Sequence, residues 1–136
     1  MRPEKSEMTD ILIMPEELSY GDNNGKTVLF KHDYYSSDSD YGRTLLGSLI
    51  NALSEDHEMI RNVIFVDSSV KLFDSPDPSF ERMIDLLKEQ DTVIYVSDSS
   101  LKEYNVALTG QLKINLLSDT ETAELLLCLK ADMIIE

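Results

Sequence analysis

The chain has 136 residues, of which 26 are acidic and 12 are basic, so its formal net charge is −14. This surplus of carboxylates disfavours nucleic acid and anionic membranes as partners, because phosphate binding requires clustered lysine and arginine. The length is typical of one domain, and a hydrophobic content of 42% is enough for a buried core. The single cysteine, Cys128, excludes an internal disulfide framework and a cysteine-based zinc site.

No part of the sequence predicts membrane insertion. The apolar stretches all fall short of the ~20 residues that a membrane-spanning helix needs. The first eight residues contain no apolar signal core. We therefore expect a cytoplasmic protein that does not associate with membranes.

The predicted elements alternate between strands and helices along the chain. Short apolar runs predict strands at 27–31, 62–66, 92–96, 111–116 and 133–135. Apolar residues at helical spacing predict a helix over 41–53. An Asp-Pro pair at 77–78 starts a second helix, whose inner face we expect to hold Phe80, Met83, Ile84 and Leu87. A short helix is predicted at 101–104, and a Ser118–Glu121 capping box opens a last one over 119–130.

This alternation predicts an α/β fold, a three-layer α/β/α sandwich with a mainly parallel five-stranded sheet. One domain would cover residues 27–136. Residues 1–26 would form an N-terminal arm, or an extra strand and turn, because 9–14 is an apolar run that ends at Pro15. We see no repeat and no linker that would divide the chain.

Two motifs that suggest a cofactor or a metal are better explained as turns. The stretch 21–27 has three residues between its glycines where a phosphate-binding P-loop needs four, and a strand follows it where the P-loop needs a helix. The acidic loop that holds Asp33, Asp38 and Asp40 lacks the ligand spacing of a calcium-binding loop. We therefore predict neither a cofactor nor a metal ion.

Three polar segments follow predicted strands, at 31–33, 67–69 and 97–100. The carboxyl ends of parallel strands meet at one edge of a sheet, which is where ligands bind in open α/β folds. The start of the first helix lies at the same edge. The candidate pocket residues are therefore His32, Arg43, Ser68, Ser69, Ser97, Asp98, Ser99 and Ser100.

Catalysis at this edge would need a serine that a base activates, and His32 is the one base nearby. If the protein is an enzyme of that kind, His32 should lie within hydrogen-bond reach of Ser97 or Ser100. The Gly-x-Ser-x-Gly elbow of many hydrolases does not surround any of these serines. Cys128 lies among leucines, so we expect it to be a small buried core residue.

Several short segments of the chain follow one another in an order and at a spacing that are typical of one known family. These segments are residues 40–46, 63–72, 84–87, 96–106, 123–126 and 131–135. On them, from residue 41 onward, the chain resembles the DsrE-like family, in particular the C-terminal domain of YedF-type proteins, and the resemblance covers roughly 100 residues.

The resemblance implies the same fold, homo-oligomers, and a link to sulfur relay or selenium metabolism. YedF-like relatives have Cys-Gly-Thr-Cys-Leu where this chain has Ser-Asp-Ser-Ser-Leu at 97–101. Ser97 and Ser100 thus replace both sulfur atoms, and a hydroxyl cannot form a persulfide. No catalytic residue is predicted.

Three functions stay open. The first is a binding or accessory subunit, without catalytic cysteines, that has a protein partner in sulfur or selenium metabolism. The second is an enzyme with Ser/His-based chemistry in the same pocket. The third is a structural oligomer subunit, which predicts that the 97–100 loop is packed into a subunit interface.

Overall fold

The computed structural model describes residues 25–55, 59–74, 76–108 and 113–136. The apolar run at 9–14 and most of the predicted N-terminal arm lie outside these residues. Within them, no helix is long and apolar enough to cross a membrane.

Five parallel strands form one sheet in the order β4-β3-β2-β1-β5. The strands are β1 (Lys26–Phe30), β2 (Ile60–Phe65), β3 (Val93–Ser97), β4 (Ile114–Leu117) and β5 (Met133–Ile135). Each predicted strand is therefore present. The last strand has its predicted bounds, and the ends of the others differ by one or two residues, except that residues 111–112 of the fourth predicted strand lie outside the described residues. The α/β fold with a five-stranded parallel sheet is confirmed.

The connections between strands are helical. They are α1 (Asp40–Ser54), a 3₁₀ helix (Asp67–Phe73), α2 (Pro78–Glu89), α3 (Asp98–Glu103) and α4 (Asp119–Cys128). The 3₁₀ helix was not predicted, and α3 begins at Asp98, three residues before its predicted start. Residues 98–100 are thus the first turn of a helix.

Side-chain caps explain where the longer helices begin. The Asp77 carboxylate accepts a hydrogen bond from the Phe80 N–H, and Pro78 occupies the first turn of α2, as predicted. The Ser118–Glu121 capping box is also confirmed, since each side chain accepts from the other residue's backbone N–H.

The order of the strands places helices on both faces of the sheet. The chain moves outward from β1 to β4 and then returns past three strands to β5, so right-handed crossovers put α1 and α2 on one face and α4 on the other. The face covered by α1 and α2, the α1 side, holds the larger core, including the four predicted residues of α2. On the opposite face, the α4 side, Leu29, Ile64 and Leu129 form a smaller cluster.

The expectation that Cys128 is buried is wrong, because its side chain is exposed. Five consecutive apolar residues at 125–129 wrap more than one helical turn, so they cannot all face the sheet. Leu125 and Leu129, four residues apart, pack against the sheet. Cys128 lies off that inner face.

Candidate functional site

The helices leave the sheet in opposite directions at β3 and β4. After β3 the chain enters α3, whose Leu101 packs in the core on the α1 side. After β4 it enters α4, which packs on the other face. Ligands bind in open α/β sheets at the carboxyl edge where such connections diverge. Ser97, the last residue of β3, lies at this point.

The hydroxyls of Ser97 and Ser100 both accept hydrogen bonds from backbone. Ser97 caps α3, and its Oγ accepts from the Ser100 N–H at 3.2 Å. The Ser100 Oγ accepts from the Asp67 N–H at 2.8 Å, which joins the loop after β3 to the loop after β2. The two serines thus hold the local backbone of this edge.

Asp67 is the residue at which the loops meet. Its φ of 54° lies in the left-handed region, which aspartate tolerates better than most residues. The Tyr104 hydroxyl donates to Asp67 Oδ1 at 2.7 Å. This hydrogen bond favours the neutral phenol and is the main reason that the pKa of Tyr104 is raised to about 12.

His32 lies beside Ser68 and Asp67, at the end of β1. Its Nδ1 and the Ser68 Oγ share a hydrogen bond of 3.2 Å, and the same nitrogen is 3.6 Å from Asp67 Oδ2. A Ser-His-Asp triad needs the serine and the carboxylate on opposite ring nitrogens. The three residues are adjacent here, but they lack the arrangement of a triad.

Further contacts hold this group in place. The His32 ring stacks on Tyr34, with ring centroids 4.7 Å apart. The Lys71 ammonium is 3.5 Å from Asp33 Oδ2 and 5.4 Å from the centroid of the Tyr104 ring. The cluster at the edge therefore contains groups of both charge signs.

The structure brings together four of the eight candidate residues through direct or shared contacts. His32 shares a hydrogen bond with Ser68, and its ring nitrogen lies near Asp67. Asp67 donates its backbone N–H to Ser100, and Ser100 donates its own N–H to Ser97. The hydrogen bond that a Ser/His enzyme would need between His32 and Ser97 or Ser100 is not present, since the His32 side chain bonds to Ser68 instead.

The remaining candidates have other contacts. The Ser69 hydroxyl is buried and donates to the Val66 carbonyl. Asp98 forms an ion pair with Lys102 at 3.0 Å, and Ser99 is exposed.

Arg43 makes its side-chain contacts with carboxylates near the start of α1. Its guanidinium donates to Asp38 and Asp40 at the start of α1. The hydrogen bond to Asp38, followed by that to Asp40, raises the pKa of Arg43 above its usual value. The charge that would attract an anion to this helix start is therefore already paired with carboxylates.

Sequence reasoning missed the roles of Asp67, Lys71 and Tyr104. The Tyr104–Asp67 contact joins residues 37 apart, and the 3₁₀ helix that carries Lys71 has no clear periodicity. The sequence identifies Asp67 as a polar residue at a strand end, but it does not reveal that the backbone there is left-handed. Across the described ranges, no group of three or more His, Cys, Asp or Glu side chains could hold a metal ion.

The fold and this edge define an α/β protein with an all-parallel five-stranded sheet and a Ser/Asp/His cluster where its strands end. No family model matches the chain, and no curated protein matches it. Among solved structures, the chain is similar to the YchN protein from E. coli, at 15% identity and a TM-score of 0.47. The similarity covers 82% of this chain and 97% of that protein.

Proposed function

We propose that this protein is a DsrE-like binding or accessory subunit that has no catalytic cysteines and acts in sulfur or selenium metabolism. The edge formed by the 67–69 and 97–100 segments would bind a small polar ligand or a polar segment of a partner protein. The link to sulfur and selenium comes from the family resemblance of the sequence. Homo-oligomer formation and a cytoplasmic location belong to the same proposal.

One observation carries the non-catalytic part of the proposal. The Ser97 and Ser100 oxygens accept hydrogen bonds from backbone N–H groups, and neither hydroxyl contacts His32. A serine nucleophile must pass its proton to a base within about 3 Å. The two residues that would replace the family's cysteines thus support the backbone and lack a base.

The partner-binding part is tested by photo-crosslinking in cells. A benzophenone amino acid replaces Ser99, which is exposed at this edge, and a control chain carries it in place of Asp85, which is exposed on α2. We expect a specific crosslinked product from position 99 that position 85 does not form. Identical products from both positions, or none from position 99, would count against the proposal.

The absence of sulfur-relay chemistry is tested with a persulfide donor. Cys128 is exposed and lies at the carboxyl end of α4, where the helix dipole disfavours a thiolate. We expect Cys128 to react no faster than a simple thiol such as N-acetylcysteine. A rate about a hundredfold higher, lost in Cys128→Ser, would show a dedicated sulfur carrier and overturn the proposal.

The second candidate function is an enzyme that uses Ser68 as nucleophile and His32 as base. The 3.2 Å contact between them favours it over chemistry at Ser97 or Ser100. The same His32 nitrogen faces Asp67, so the carboxylate does not orient the ring from the opposite side. This geometry therefore favours a binding subunit over an enzyme as the function of the protein.

A further inference from the structure

The last turn of α4 exposes leucines on the side that points away from the sheet. No residue of this helix is buried, and its outward Leu127 is 86% exposed, while Leu126 is 39% exposed. The preceding turns expose the carboxylates of Asp119, Glu121 and Glu124. Adjacent exposed aliphatic side chains bordered by polar residues are typical of an interaction site.

The edge strand β5 adds one more exposed apolar side chain on the same face of the sheet. Ile134 is 49% exposed and pairs in register with Leu29, which packs in the same cluster as Leu129. Residues paired across parallel strands point to the same face of a sheet. Ile134 therefore lies on the α4 side, and we call Leu126, Leu127 and Ile134 the α4–β5 surface.

The charges around the α4–β5 surface are mostly negative. Residues 118–136 contain one base, Lys130, and five acids, of which Glu136 is paired with Lys31 at 3.6 Å. The acids are Asp119, Glu121, Glu124, Asp132 and Glu136, all of which are exposed.

This charge distribution distinguishes between the occupants of the surface. A second copy in a two-fold dimer would place the same acidic patch against itself, and like charges brought together are unfavourable. An anionic lipid surface would be repelled for the same reason. A partner with aliphatic side chains flanked by lysine or arginine matches both the apolar centre and the acidic surroundings.

We propose that the α4–β5 surface is a docking site for a partner protein segment that presents aliphatic residues between basic ones, as on an amphipathic basic helix. The proposal does not depend on the serine edge or on its ligand. It concerns the opposite layer of the fold from α1 and α2.

The test uses the full chain and a fluorescein-labelled amphipathic peptide built of leucine and lysine. Fluorescence anisotropy compares wild type with Leu127→Asn, and with Leu116→Asn as a matched control. Leu116 is a 52% exposed leucine on β4, so both variants remove an exposed aliphatic side chain. Circular dichroism checks that both variants are folded.

We expect Leu127→Asn to weaken peptide binding about tenfold and Leu116→Asn to leave it unchanged. Raising the salt from about 0.1 M to about 1 M should also weaken binding, because it screens the attraction between the peptide lysines and the acids around the α4–β5 surface. A peptide of leucine and glutamate should not bind.

Three results would overturn the proposal. One is equal binding of the lysine peptide to wild type and Leu127→Asn, and a second is no binding at all. The third is a dimer, seen by light scattering, that Leu127→Asn dissociates, since the surface would then be covered by a second copy.

Discussion

The Ser100 hydroxyl accepts a hydrogen bond from the Asp67 backbone N–H at 2.8 Å, which ties the start of α3 to the end of β2. Asp67 in turn accepts from the hydroxyl of Tyr104 at the end of α3, so α3 and the start of the 3₁₀ helix are joined at two points. The same aspartate lies 3.6 Å from His32 Nδ1. Three strand ends are thus linked through one residue, and the shape of the candidate site depends on it.

Ser100→Ala removes the acceptor for the Asp67 N–H. We expect it to lower the free energy of unfolding by about 0.5 kcal/mol, the lower end of the range for one hydrogen bond, because this one is exposed. Ser99→Ala is the matched control, because Ser99 is exposed in the same helical turn. Urea denaturation measures both variants, and equal stabilities would show that the Ser100 contact contributes nothing.

Tyr104 should titrate at about pH 12, because its hydroxyl donates to the Asp67 carboxylate. Since the folded pKa lies above the unfolded value of about 10, the stabilising contribution is present below pH 10 and is lost as the pH rises through 12. The phenolate absorbance of wild type minus that of Tyr104→Phe isolates this titration.

Asp67→Asn provides the control for the Tyr104 titration. Asparagine tolerates the left-handed backbone but carries no charge. We expect the pKa of Tyr104 to fall toward 10 in this variant. A wild-type Tyr104 that already titrates near 10 would show that the contact to Asp67 is absent in solution.

Gly42 and Gly47 lie on the same helix and should respond oppositely to alanine. A Cβ at Gly42 would lie 1.8 Å from the Ser37 carbonyl oxygen, whereas a Cβ at Gly47 would meet no atom within 4 Å. Gly42→Ala should lower the free energy of unfolding by about 2 kcal/mol or more. Gly47→Ala should raise it by about 1 kcal/mol through helix propensity.

Thermal unfolding distinguishes these outcomes without a ligand. If both glycine substitutions stabilise the protein, the 35–39 loop does not place the Ser37 carbonyl against Gly42 in solution. That loop begins three residues after His32, so its position also bears on the candidate site.

Phe65 should be among the residues least tolerant of truncation. Its side chain is fully buried, and its ring stacks on Phe30 with centroids 5.0 Å apart. Phe65→Ala should cost about 4 kcal/mol in chemical denaturation. Tyr41→Ala, at a 69% exposed aromatic residue, should change stability by about 0.5 kcal/mol or less. Similar losses in both variants would contradict the assigned core.

The sequence predicts the elements of this fold well because their signals are local. The apolar spacing of α2 identifies Phe80, Met83 and Leu87 as buried, and all three are. The capping box at Ser118 depends on residues three apart. Patterns of this kind need no knowledge of the rest of the chain.

The contacts of the site could not be predicted in the same way. His32 meets Ser68 across 36 residues, and Asp67 meets Ser100 across 33. The sequence indicates that these strand ends share an edge, but not which hydroxyl faces which loop. The burial of Cys128 was wrongly expected because a run of leucines does not show which residues face the sheet.

The serines of this edge are proposed to bind and to support the backbone without acting as nucleophiles. Fluorophosphonate labelling followed by peptide mass spectrometry distinguishes these roles, with His32→Ala as the comparison. We expect no stoichiometric adduct on Ser68, Ser97 or Ser100 in either protein. An adduct on Ser68 that forms in wild type and disappears in His32→Ala would contradict the proposal, because it would show that His32 activates a serine nucleophile.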